Sequence, residues 1–333
     1  MSTSGKHTSL ILHAIQQRPF TNLPEAHRIF NGFYEGLPGL VLDRYGPTLV
    51  AFEHGEPGEH REVIQAVCRW ALENSPGLST VLLKQRLSTD ERVKNGIMIG
   101  GDSLPTSIRE FGVHYAIDLQ MNQDAGFYLV TRDLRRWLAE NMADKRVLNT
   151  FAYTGSLGVA AGAGGAREVV QTDINPDFLQ IAEKSWTLNA LPKARYQHQV
   201  GDFFRVMGRL RHQDQLFDCV ILDPPYFSAT EAGRVDLQEG TTRLINKVRP
   251  LVGHQGWLVV INNALFHSGE DFMAEINALC KSEYLQMVQQ IPIPPDITGY
   301  PTTLVDSPPV DPAPFNHPTK IVILKVFRKD QRH

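Results

Sequence analysis

From Lys145 onward, apolar and polar positions alternate between two rhythms. Short apolar stretches with the length and β-branched content of strands predict strands over Arg146–Phe151, Glu168–Ile174, Arg195–Val200, Phe217–Leu222, Gly256–Asn262, Tyr284–Ile291 and Lys320–Phe327. Between them apolar residues recur at helical spacing. Leu244, Ile245, Val248, Leu251 and Val252 share one face, and Phe272, Ile276, Leu279 and Cys280 another. Alternation of this kind predicts an α/β fold, with helices on both faces of a largely parallel sheet. The last crossover, residues 291–318, carries too many prolines for a helix. A strand reached by a loop can run antiparallel to its neighbour, so the seventh strand is expected to be reversed.

Upstream the pattern is mixed. Arg28–Asn31, Gly39–Arg44 and Thr48–His54 read as short strands broken by glycine and proline, and Thr80–Arg86 and Gly96–Gly100 as two more. Val63, Ile64, Val67, Cys68, Ala71 and Leu72 predict a one-faced helix. The rhythm changes near Tyr115. Two domains are therefore expected: a smaller α/β domain over residues 1–115 that positions substrate, and a larger one over 116–333.

Composition narrows the class. The chain has 333 residues, 42% of them hydrophobic and 21% charged, an ordinary globular balance. No apolar run approaches the ~20 residues that cross a bilayer, and the polar start Met1–Ser9 does not read as a secretory signal. The three cysteines, Cys68, Cys219 and Cys280, are odd in number and widely spaced, which excludes a disulfide framework and a cysteine zinc site. No metal is expected, and the location is expected to be the cytoplasm. A formal net charge of −3 leaves nucleic-acid binding to a local patch. Lys84, Arg86, Arg92 and Lys94, with Arg132, Arg135 and Arg136, are the candidates for one; the bland alternative is a set of solvated faces.

In a doubly wound sheet the ligand sits at the carboxyl ends of the strands, so the residues there carry the chemistry. The first strand runs into Phe151-Ala152-Tyr153-Thr154-Gly155-Ser156-Leu157-Gly158. Glycine lets backbone approach a ligand, but only Gly155 and Gly158 are available, which is not the motif of dinucleotide binders. The second strand ends at Asp173, placed to accept from a ribose diol or merely to cap the next helix. After the third strand, Asp202 is positioned to accept from an adenine amino group and Phe203 to cover the ring; a helix cap is the alternative for Asp202. Three successive strands ending in a suitable polar group point to an adenosine-type cofactor. The fourth ends in Asp223-Pro224-Pro225-Tyr226-Phe227, where two prolines remove donors and leave carbonyls to accept. An acceptor cluster beside an aromatic ring suits a planar base or amine held by edge and face.

These motifs, with Gln123-Asp124-Ala125-Gly126-Phe127-Tyr128-Leu129-Val130-Thr131-Arg132 and Gly36-Leu37-Pro38-Gly39-Leu40-Val41-Leu42-Asp43-Arg44-Tyr45-Gly46, resemble the bacterial large-subunit ribosomal RNA methyltransferases, from about Thr21 onward. The family includes cytosine-C5 and guanine-N7 enzymes. The resemblance implies a Rossmann-like seven-stranded methyltransferase sheet, S-adenosylmethionine as cofactor and RNA, 23S rRNA in particular, as partner. It also implies that Gln123, Phe127, Tyr128 and Arg132 help close the cofactor pocket, with Thr154, Gly155, Asp173, Asp202, Phe203 and Asp223 lining it. Asp223, Pro224, Pro225 and Tyr226 would form the catalytic loop, with Tyr226, Phe227 and Asn262 against the substrate. Core packing is the alternative for Phe127 and Tyr128. The chain departs from the cytosine-C5 members in having no room for their extra N-terminal RNA-binding domain, and in Tyr226 where they have lysine.

Cytosine C5 needs a thiolate to add to the ring first. Cys219 lies inside the fourth strand, and Cys68 and Cys280 on apolar helix faces. The fifth strand ends in Asn262-Asn263, similar to the guanine-N7 members, without the cysteine of the cytosine-C5 ones. N-methylation of a base is the reading favoured. Cytosine-C5 methylation and N-methylation of a protein or small molecule are the alternatives, and a nicotinamide dehydrogenase or a non-catalytic RNA-binding module fits the motifs less well.

Overall fold

The computed structural model describes residues 3–18, 25–237 and 240–333; Thr21, where the family resemblance begins, lies outside them. The chain forms two compact units, one of residues 1–130 with 294–308 and one of 131–293 with 309–333.

In the first unit five strands, β1 (Ala26–Asn31), β2 (Leu40–Tyr45), β3 (Thr48–Glu53), β4 (Thr80–Gln85) and β5 (Ile97–Gly100), lie in sequence order in one sheet. Only β3 and β4 are parallel, because α3 (Arg61–Asn74) carries the chain between them. Helix α1 (Thr3–Gln16), absent from the expected elements, brings Ile11, Ala14 and Ile15 onto the same core as Val63, Ile64 and Val67 of α3. Those three α1 residues stand at helical spacing, yet the surrounding Ser, Thr and His mask the signal. Short helices α2 (Gly32–Glu35) and α4 (Glu91–Asn95) and a hairpin of β6 (Ser107–Glu110) and β7 (Val113–Ala116) complete this unit.

The unit runs past the boundary expected near Tyr115. Its ring packs on Phe127 with centroids 5.0 Å apart, and Lys84 and Arg86 on the sheet side bond the 122–124 turn, so residues 116–130 go with the first sheet. The proline-rich segment 294–308 goes with it too. Arg28 N–H donates to Asp296 at 2.9 Å, Asn31 Nδ2 to the Ile297 carbonyl at 2.9 Å and Thr303 Oγ1 to Glu35 at 2.5 Å. Glu35 also carries a buried ion pair with Arg18 at 2.5 Å.

The second unit holds α5 (Arg132–Asn141), α6 (Ser156–Ala163), α7 (Pro176–Leu188), α8 (Phe203–His212), α9 (Thr242–Val248) and α10 (Gly269–Cys280). Its seven-stranded sheet contains β8 (Arg146–Thr150), β9 (Glu168–Asp173), β10 (Tyr196–Val200), β11 (Phe217–Leu222), β14 (Val252–Asn262), β15 (Leu285–Gln290) and β16 (Lys320–Val326), and a separate hairpin is made of β12 (Phe227–Thr230) and β13 (Gly233–Asp236). The spatial order is β10-β9-β8-β11-β14-β16-β15, and β16 is antiparallel to both neighbours, as expected; the crossover before it, expected to lack a helix, holds one short turn of helix, α11 (Pro295–Thr298). Leu148, Val220, Leu222, Leu258, Val260 and Leu324 pack against Val206, Met207, Leu244, Ile245, Phe272 and Ile276 of three helices to form the core. Strand order reverses between β8 and β11, which makes their carboxyl ends the place for a ligand.

Candidate active site

The turn after β8 is held in an unusual shape. Phe151 and Tyr153 have φ of 52° each and Gly155 has φ of 76°, all in the left-handed region that is costly for side-chain-bearing residues. Asp173 holds it there: its carboxylate accepts from the N–H of Tyr153 at 2.8 Å and of Asn175 at 2.9 Å. It does not cap α7; Asn175 does, accepting from the N–H of Asp177. Burial raises the Asp173 pKa, with the N–H groups of Asn175, Tyr153 and Ile174 opposing the rise. A carboxylate has about four acceptor positions, so Asp173 retains acceptor capacity toward a ribose hydroxyl. Next to it Ile174 is 60% exposed, an apolar surface at a ligand edge that the sequence reading passed over because it ended a strand.

Gly155 is glycine for two reasons. Besides its φ, a Cβ there would stand 2.3 Å from the Ala182 Cβ and 2.7 Å from Gln171. The Gln171 side chain fills the space beside Gly158 as well, so both glycines serve close packing of α6 on β9. Thr154 is buried. Helix α6 starts at Ser156, directly after Gly155, and a helix in this place of such a sheet offers its first N–H groups to a ligand.

At the end of β10 the capping alternative is the one realised. Asp202 accepts from Arg205 N–H at 3.1 Å, and its second oxygen accepts from Thr230 Oγ1 at 2.5 Å. The second bond ties α8 to the hairpin that follows Tyr226. Phe203 does not offer an open ring: it is buried, stacked on Phe151 at 4.4 Å and edged by Phe204. The first aromatic of the Phe203-Phe204 pair turns inward because it opens the core-facing stripe of α8 with Val206, Met207 and Leu210. Exposed Ile174 and Val200 are the apolar groups left at these strand ends to cover a ring.

After β11 the arrangement is polar, then aromatic. Asp223 is half-buried and bonds no donor among the described residues; burial pushes its carboxyl up to about 7. Pro224 is buried, while Tyr226 is 41% exposed and Phe227 53%, with the Arg234 guanidinium 5.2 Å above the Phe227 ring. The Pro224 carbonyl is not free, since Asn263 Nδ2 donates to it at 3.3 Å. That contact corrects the expectation for Asn262. Asn262 is fully buried, donates to Thr241 Oγ1 at 3.0 Å and accepts from Ala264 N–H, which leaves nothing for a substrate. Alternation along a strand sends neighbours to opposite sides, and Asn263 is the member that faces the loop. Beyond it Leu265 and Phe266 are exposed.

The remaining candidates stand on other elements. Gln123 is exposed and Tyr128 is exposed, with its hydroxyl donating to Asp124 at 3.1 Å. Phe127 is a core residue of the first unit. Arg132 opens α5 in the second unit and is buried, as is Arg135. The basic patch is largely dismantled. Lys84 is fully buried and donates to the carbonyls of Asn95, Asn122 and Asp124 at 2.6, 2.7 and 2.8 Å. Arg86 pairs with Asp124 at 2.5 Å, Lys94 with Glu91 and Arg92 with Asp90. Cys68 and Cys219 are buried with thiols raised by burial, and Cys280 is half-buried. No group of metal-ligating residues occurs among the described residues, and no helix there is long and apolar enough to cross a membrane.

The chain resembles known proteins over most of its length. Residues 52–306 match the model of the S-adenosylmethionine-dependent methyltransferase family. Ribosomal RNA large subunit methyltransferase I of Tolumonas auensis is 29% identical over 293 residues, 83% of this chain and 72% of that protein. The protein of the same name from Aeromonas hydrophila is 36% identical over 203 residues, 60% of this chain but about half (51%) of that protein. In fold, the chain superposes on the crystal structure of SMU.776, solved with SAH, with a TM-score of 0.83 at 22% identity, covering 98% of this chain and 82% of that one. The strand ends fit such a cofactor: Asp173 has acceptor capacity to spare, Ile174 offers an apolar face, and a helix N-terminus adjoins them. The chain belongs to the S-adenosylmethionine-dependent methyltransferases.

Proposed function

We propose that the enzyme methylates a nitrogen on a base of ribosomal RNA, with Asp223 and Tyr226 receiving the base. The observation that carries this is the pairing, at the end of β11, of a half-buried carboxylate that bonds no donor with an exposed aromatic ring one Pro-Pro step away. A buried acceptor lacking a donor is costly, and an exocyclic amine or ring N–H meets that need. Tyr226 supplies a face for stacking, and Phe227, Leu265 and Phe266 extend the apolar surface as a single-stranded nucleic acid requires. The ribosomal substrates named for the relatives favour RNA over a protein or small molecule.

In this reading Asp173 holds the ribose while Gly155, Thr154 and Asp223 line the pocket. Arg132 closes it, and 23S rRNA is the partner. The bound cofactor supplies an electrophilic methyl group. The protein's task is to align a nitrogen lone pair with it, which needs no nucleophilic side chain. Buried Cys219 is no candidate for one. Replacing Cys68, Cys219 and Cys280 together by alanine or serine should leave methyl transfer to RNA intact apart from lost core packing; a covalent adduct with RNA, or a folded triple variant without turnover, would instead indicate C5 chemistry. Comparing modified nucleosides by mass spectrometry in RNA from cells with and without the active gene tests the substrate directly.

Asp173→Ala should weaken binding of S-adenosylmethionine by about 1.5–3 kcal/mol, the range for hydrogen bonds to a charged group. Because the carboxylate also holds the Tyr153 and Asn175 amides, the 151–155 turn should loosen as well. Unchanged affinity by titration calorimetry would remove Asp173 from the ribose site.

A further inference from the structure

Lys320 is fully buried on β16, directly opposite Asn262 of β14. Its ammonium donates to the carbonyls of Ala264 at 3.0 Å, His267 at 2.9 Å and Pro318 at 2.5 Å. An ammonium has three N–H donors and no acceptor, so all three are used. Burial lowers its pKa to about 8, which leaves it largely protonated at neutral pH. No carboxylate pairs with it among the described residues. Stability alone does not call for such a residue, since buried charges can commonly be replaced by apolar groups of like volume without loss.

What the ammonium grips is informative. Ala264 and His267 are the two ends of the turn that leaves β14, and the turn between them displays exposed Leu265 and Phe266. The residue just before it, Asn263, donates to the Pro224 carbonyl. We propose that Lys320 is a positioning residue for methyl transfer: it clamps the 264–267 turn, and through Asn263 sets the Asp223–Tyr226 loop against the incoming base. The inference rests on the reading that this loop receives the methyl acceptor.

Two measurements on the full chain test it. In Lys320→Met, hydrogen exchange should quicken at the amides of residues 264–267 and at Leu237, whose N–H is held by the Tyr226 carbonyl, while the central strands stay protected. With protein-free large-subunit ribosomal RNA as the probe, kcat should fall about tenfold or more, as a small misplacement of reacting groups does. The Kd for S-adenosylhomocysteine should stay within about twofold, the split that general destabilisation would not produce. Unchanged exchange in the turn, unchanged kcat, or equal losses of kcat and cofactor affinity would each overturn the proposal. Should Lys320→Met fail to fold, Asn263→Ala decides: it should reproduce the kcat defect, and full activity would break the proposed route. If the wild-type protein does not methylate RNA, the proposed substrate fails, and the exchange experiment alone then upholds or refutes the clamp.

Discussion

Replacing Asp223 by alanine should lower kcat for RNA by about 10²–10³-fold, the cost of removing one preorganised polar group from a water-poor site. The fold should persist, because the carboxylate bonds no other described residue. Activity should also rise with pH across neutrality. Burial raises the Asp223 carboxyl to about 7, so below that value it is protonated and below full strength as an acceptor, and above it the carboxylate is formed. A plot of kcat/KM against pH should therefore climb through about 7, and the limb should vanish in Asp223→Asn. Stability moves the other way. A carboxyl whose folded pKa exceeds its unfolded value of 3.8 contributes its full stabilisation below that value and loses it as pH rises toward about 7. A profile flat from pH 6 to 8, with chemistry shown to be rate-limiting, would contradict the assignment.

Tyr226→Ala should reduce kcat/KM for RNA by about 5–150-fold, which corresponds to the ~1–3 kcal/mol of stacking a base on an aromatic ring. Tyr226→Phe should recover most of it, since stacking uses the ring and not the hydroxyl. Cofactor affinity should be nearly unchanged in both. The effect should be confined to the acceptor: the Tyr226 carbonyl, which accepts from Leu237 N–H and anchors the hairpin, survives any substitution. Steady-state kinetics on RNA beside calorimetry with S-adenosylhomocysteine would check it. Full activity of the alanine variant on RNA would turn attention to a protein or small-molecule acceptor.

The sheet was legible because its inner strands β8, β9, β11, β14 and β16 are largely buried and read as apolar runs, and because prolines fill the one crossover that lacks a long helix. The site was legible in outline for the same reason, since strand ends mark ligand edges. Side-chain direction was not. Lys84 among Arg86, Arg92 and Lys94 has the same composition whether its ammonium meets phosphate or three backbone carbonyls. Asn262 and Asn263 are indistinguishable until the strand's pleat decides which one turns inward. Phe203 became core because the helix stripe it opens runs that way. The hairpin β12–β13 escaped notice because its eight residues include Ser, Thr, Gly, Arg and Asp, and only Phe227 and Val235 are large apolar or β-branched apolar residues. Yet it ties Asp202 to the segment that follows Tyr226 through Thr230.

The segment 294–308 gives the molecule an unusual genealogy of cuts. The chain passes from one unit to the other at three places, after Val130, after Ile293 and after Pro308. A fragment beginning at residue 131 would carry Asp296, Ile297 and Thr303 away from Arg28, Asn31 and Glu35, exposing an apolar side chain and breaking the Thr303–Glu35 and Arg28–Asp296 hydrogen bonds. The catalytic unit is therefore not a cassette. Any transplant of the first unit onto another methyltransferase, by recombination or by design, has to bring residues 294–308 with it as an insertion between β15 and β16, and chimeras joined at a single point should be the ones that misfold.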